Sequence, residues 1–126
     1  MRPHPIVPRV VALGMMAGWA VPAFAHHSFA MFDQTKTVTL QGSVEAFEWT
    51  NPHAFVIVDV RDNAGKAVRY TLECSSPALM RHAGWSFSTL KAGDAVTLTM
   101  HPLRDGKRGG MLATITLPSG AALKGW

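Results

Sequence analysis

From position 37 the chain alternates. Val38, Leu40, Val44 and Ala46 fall on one parity, and Thr37, Thr39, Gln41, Ser43 and Glu45 on the other. That period of two belongs to a strand with one face in a core and one in water. Gly42 interrupts the apolar series, and a glycine inside a strand pattern marks a bulge or a sharp bend. After Ala46 the parity changes: Phe47 and Trp49 take the other face, and Thr50-Asn51-Pro52 ends the strand because proline brings no N–H to a ladder. Residues 55–61 predict a second strand, apolar on both faces at its start, and Asp62-Asn63-Ala64-Gly65-Lys66 a hairpin loop. Val68, Tyr70, Leu72 and Cys74 then alternate with Arg69, Thr71 and Glu73, a third strand antiparallel to the second.

Ser75-Ser76-Pro77 supplies an N-cap and a proline at the first helical position, and Gly84 closes a helix over 77–83 of no more than about two turns. In the connection that follows, Trp85, Phe87 and Leu90 are expected to plug the base of a barrel. A fourth strand alternates Val96, Leu98 and Met100 with Thr97, Thr99 and His101 and stops at Pro102. A fifth alternates Met111, Ala113, Ile115 and Leu117 with Leu112, Thr114 and Thr116, and Pro118-Ser119-Gly120 ends it. Three meander strands, a short helix and two more strands is the element order of the OB-fold. The expected class is therefore all-β with one short helix, a small five-stranded OB-like Greek-key barrel; an open β-sandwich of similar size is the alternative. In the OB order the loops over 49–53 and 101–110 share the flank where such barrels usually bind ligands, and His53 and His101 border it.

The segment before the strands has another character. Arg2 and Arg9 precede an apolar, uncharged run over 10–21, and Ala23-Phe24-Ala25 is a small-x-small cleavage box, the layout of a secretory signal peptide. The run is short of the roughly 20 residues a membrane helix needs, so no span is expected in the mature chain. The expected organisation is a signal peptide over 1–25, an N-terminal arm over 26–35 and the barrel over 36–126, with the protein exported to the periplasm. Loss of Arg2 and Arg9 lowers the net charge from +4 to +2, too little for a nucleic-acid polyelectrolyte. The single cysteine, Cys74, has no partner for an internal disulfide, so packing has to hold the fold.

A-H-H-S-F at the cleavage site, V-x-L-x-G-x-V in the first strand, W-T-N-P-H after it, the segment 76–85, L-K-x-G-D-x-V and P-L-R-D-G-x-x-G-G run in order through nearly the whole mature chain. This combination resembles a family of small exported bacterial proteins of unknown function. The resemblance implies export and a compact β domain, and no reaction for any residue.

Candidate chemistry begins at the cleavage box. Cleavage after Ala25 makes His26 the first residue, whose amine and Nδ1 can chelate a divalent metal, with His27 beside it. Nitrogen-rich ligation favours Cu(II), which tops the divalent affinity series. His53 or His101 would complete the shell. The alternative is a small-ligand or protein-partner module on the flank of Trp49, Asn51, His53 and Arg104. Phe47, Trp49 and Phe55 are expected on the face opposite the core, covered by Phe29 and Phe32 of the arm. Cys74 and Met100 have inward parity and are expected to be core. No G-x-S-x-G, C-x-x-C, H-E-x-x-H or phosphate loop occurs, so the usual hydrolase, thioredoxin, zincin and nucleotide-binding readings have no support. Binding is favoured over turnover; oxidative copper chemistry is the third reading.

Overall fold

The computed structural model describes residues 29–126. The expected signal peptide over 1–25, and His26 and His27, lie outside these residues. A 3-10 turn, Phe29–Met31, leads into β1 (Val38–Glu48), β2 (Phe55–Arg61), β3 (Ala67–Glu73), α1 (Pro77–His82), β4 (Ala95–Pro102), β5 (Gly109–Thr116) and β6 (Ala122–Lys124). The sheet order is β3-β2-β1-β4-β5-β6, and a parallel pairing of β3 with β5 closes the first five strands into a barrel. This is the OB-like arrangement, with β6 added on the outer side of β5.

Closure rests on β1. Its first half pairs with β4 and its second half with β2, and only Gly42 and Ser43 are paired to both neighbours. A strand shared in this way must bend sharply where the two ladders overlap. A Cβ on Gly42 would run into the Asp59 carbonyl oxygen and stand 3.2 Å from Val60 Cγ2. Glycine is therefore required at the bend for close approach of the backbones.

The bulge itself lies between Val44 and Ala46, where the β1–β2 register slips by one residue. It corrects the expectation for the aromatic residues after it. Phe47 stands opposite buried Val56 and its ring lies 5.6 Å from that of Trp85, a core residue, while Trp49 packs against the core edge. Parity counting put both on the outer face because it carried no extra residue. Phe55 does remain on the outer side.

The interior is filled by apolar side chains of all five barrel strands, among them Val58, Leu72, Leu98 and Leu112, with Met80 of α1. Each such aliphatic side chain contributes about 1.5–3 kcal/mol when fully buried. Cys74 and Met100 belong to this core, as expected. Trp85 and Leu90 are buried there too, whereas Phe87 is 75% exposed and plugs nothing. α1 starts as the sequence predicts: Ser76 Oγ accepts the Leu79 N–H and Pro77 opens the first turn. Among the described residues no helix is long and apolar enough to cross a membrane.

Candidate functional site

His53 ends the loop between β1 and β2. Its carbonyl accepts the Thr50 hydroxyl at 2.9 Å, and the Asn51–Pro52 peptide before it is cis. Ala54, directly after it, is clamped on both backbone groups, donating to the Ser75 carbonyl at 3.1 Å and accepting from Cys74 N–H at 2.8 Å. The imidazole projects from this fixed backbone toward the end of β3. Its Nδ1 lies 2.6 Å from Glu73 Oε1, with the two side chains 16% and 12% exposed. A half-sequestered pair of this kind is stronger than a solvated one, since less water competes for either partner.

Two further rings frame the pair. Trp126 meets His53 edge-on with ring centroids 5.1 Å apart, and its indole N–H donates to the Glu73 carbonyl at 3.0 Å. Phe29, the first described residue, stands edge-on to Trp126 at 5.0 Å. Trp126 is held here because Gly125 is buried between β5 and the residues that follow β3: its N–H donates to the Ala113 carbonyl, and its carbonyl accepts from Ser75 N–H. A Cβ on Gly125 would stand 2.8 Å from Leu112 Cβ, so the approach depends on glycine.

The other expected site residues engage different partners. His101 Nδ1 lies 2.8 Å from the Lys36 carbonyl oxygen; a carbonyl only accepts, so the proton is on Nδ1. Arg104 ties down the arm, donating from Nε to the Ala30 carbonyl at 3.0 Å and from its backbone N–H to the Met31 carbonyl at 2.9 Å. The same arm is held by Asp33, whose N–H donates to the Pro102 carbonyl and whose carboxylate accepts the Thr35 hydroxyl at 2.6 Å. The Thr35 hydroxyl, with Lys36 3.2 Å away, holds the Asp33 carboxyl below its ordinary value. Trp49 packs on Phe47 and carries the Arg81 guanidinium over its ring at 5.6 Å, a cation–π contact. Asn51 is exposed in its loop. Trp49, Asn51, His53 and Arg104 thus sit in separate sets of contacts.

Of the two arm residues expected to cover the outer aromatic face, Phe32 is 4% exposed, bridges Leu103 and lines a cavity with Phe55, whereas Phe29 is 45% exposed and packs on Trp126 instead. Cys74 is buried and its thiol is pushed up to about 12, chiefly by burial and secondly by the charge of Glu73. At neutral pH it is held as the thiol. Among the described residues no group of three or more His, Cys, Asp or Glu side chains is arranged to hold a metal ion.

A family model, Family of unknown function (DUF6152), matches residues 14–113. The chain belongs to this family. No curated protein and no solved structure matches it. The match to the DUF6152 model takes in His26, His27, His53, Glu73, His101 and Arg104, and ends before β6 and Trp126. The Trp126 contact to His53 thus comes from outside the matched stretch of this DUF6152 chain.

Sequence reasoning missed Glu73 and Trp126 as partners of His53. Glu73 carried a signal, since outward parity at a strand end leaves a carboxylate for the neighbouring loop. Trp126 carried none, because nothing in the pattern announced that the last residues return to the barrel as β6.

Proposed function

We propose that the protein is exported to the periplasm and binds a divalent transition metal, copper(II) first, through its mature N-terminus. The ligands in this reading are the His26 amine and imidazole, with His27 beside them, and His53 closing the shell. The observation that carries it is the His53–Glu73 pair beside Phe29. Histidine ligands characteristically donate their second ring N–H to a carboxylate, which sets the tautomer and strengthens the ligating nitrogen. Glu73 occupies Nδ1, so Nε2 is the ring nitrogen a metal would take in this reading. Covalent reach supports the same reading: His27 is two residues before Phe29, hence within about 7 Å of it whatever its conformation. His53 is preferred to His101 because Phe29 stands next to the ring that touches His53, whereas His101 faces Lys36, nine residues beyond His27.

The chemistry supplied is capture. An α-amine with an ordinary pKa of about 8 must lose its proton to bind, so affinity rises with pH. The alternative ligand flank of Trp49, Asn51, His53 and Arg104 has less to support it, since Trp49 serves Arg81 and Arg104 serves the arm. The test is a Cu(II) competition titration on protein recovered from the periplasm with a mass-verified His26 terminus, beside a form with one extra N-terminal residue. One-to-one binding should be lost in the extended form and weakened in His53→Ala, while Glu73→Gln should weaken it about 10–100-fold. Weak and equal binding in all four proteins would end the reading.

A further inference from the structure

Over the outward faces of β2 and β3 the arm does not lie flat. Between Phe32, Phe55 and Leu103 it leaves a cavity of about 230 Å³ that is also lined by the bare backbone of Gly109 and Gly110. These glycines cannot be exchanged for larger residues. A Cβ on Gly109 would stand 2.7 Å from the Thr71 carbonyl oxygen across the parallel β3–β5 pairing, and one on Gly110 would strike the His101 carbonyl. This is the flank of strands 2 and 3 and of the β4–β5 loop on which OB barrels take their ligands.

The charged groups bordering the cavity are unequal. Glu73 is engaged with His53 at 2.6 Å, and Lys107 with Asp105 at 3.4 Å. Arg108 lines the same cavity, and among the described residues its guanidinium makes no ion pair or hydrogen bond. Its backbone is fixed, since its carbonyl accepts the Thr71 N–H at 3.4 Å while the next carbonyl, of Gly109, accepts from Leu103 N–H at 3.1 Å. A half-open, mostly apolar pocket with one uncommitted guanidinium at its border suits an anion with an apolar body.

We propose that this cavity binds a compact organic monocarboxylate, its carboxylate on Arg108 and its ring or short chain against Phe32, Phe55 and Leu103. A guanidinium takes a carboxylate through two parallel hydrogen bonds, which fixes orientation as well as charge. The volume is below the ~300–1,000 Å³ of sites for drug-sized ligands, which suits a compact ligand. Glu73 borders the same small chamber, so a second carboxylate on the ligand meets repulsion there.

The experiment uses metal-free protein with the His26 terminus, so its outcome does not depend on copper binding. Benzoate is titrated while the backbone amides of Thr71, Gly109 and Gly110 are followed by 15N–1H NMR, with benzyl alcohol and phthalate as the uncharged and doubly charged probes. Saturable shifts at these three amides are expected with benzoate. Binding should be at least about tenfold weaker for benzyl alcohol and for Arg108→Gln, as loss of a charge-assisted pair requires, and weaker for phthalate. Arg108 is an exposed loop residue, so the variant keeps the fold. No saturable shift with benzoate, shifts confined to other residues, equal binding of benzyl alcohol, or unchanged binding by Arg108→Gln would each overturn the proposal.

Discussion

Gly42→Ala isolates the bend that closes the barrel. The added methyl points at the Asp59 carbonyl oxygen and stands 3.2 Å from both Asp59 C and Val60 Cγ2. Two of these atoms are backbone in the β1–β2 ladder and cannot swing aside, so the ladder must open or β1 must shift against β4, to which the same residue is paired. Overpacking of this kind costs about 1–3 kcal/mol, and fixed backbone puts Gly42 at the upper end. Against it, alanine stiffens the unfolded chain and returns about 0.4–1 kcal/mol. The net expectation is a destabilisation of about 2 kcal/mol, which for a domain near 100 residues lowers Tm by roughly 8–16 °C. Urea denaturation followed by tryptophan fluorescence should show a lower midpoint with an unchanged slope, because the surface exposed on unfolding is the same. Ser43→Ala is the control: the neighbouring residue shares both ladders but is exposed, and its change should stay within about 0.5 kcal/mol. A Gly42→Ala midpoint equal to or above the wild type would refute the close-approach argument and leave β1 closure without a cause in the sequence.

The arm should respond to acid. Asp33 has a depressed carboxyl, so its hold on Thr35 and Lys36 is complete above its unfolded pKa of about 3.9 and is lost as pH falls through the lower folded value. Proteolysis near residue 33, measured with an acid-active protease, should rise across that window in the wild type and be pH-independent there in Asp33→Asn; a parallel rise in both would place the switch elsewhere. The Cys74 thiol, raised to about 12 by burial, should resist a thiol reagent at pH 8 and react only at the rate of unfolding, so urea should accelerate labelling steeply. Labelling at the rate of a free thiol peptide would show that the core opens locally around β3.

How far the chain could be read without its structure follows from the range of the forces involved. Strand and helix boundaries depend on neighbours in sequence, and the alternation from Val38, the cap at Ser76 and the proline stops at Pro52 and Pro102 announced them. The order of those elements was enough for the barrel. The same local logic failed where one extra residue entered a ladder. The bulge between Val44 and Ala46 reversed the facing of Phe47 and Trp49, and a bulge is decided by the partner strand, which sequence parity does not see. Phe87 went the same way, since a connection without periodicity does not say which of its aromatic residues will find a cavity.

For the candidate site the division is sharper. The sequence by itself determined the residue types, the histidines at positions 26, 27, 53 and 101, and the loop that carries His53, because these are matters of composition and local turn chemistry. Only the tertiary structure decided that His53 would meet Glu73, 20 positions later, and Trp126, the last residue. Those contacts exist because β2 pairs with β3 and because the C-terminal residues pass between β5 and the end of β3. Long-range pairing is selected by the packing of the whole barrel, and no stretch of the chain contains it alone.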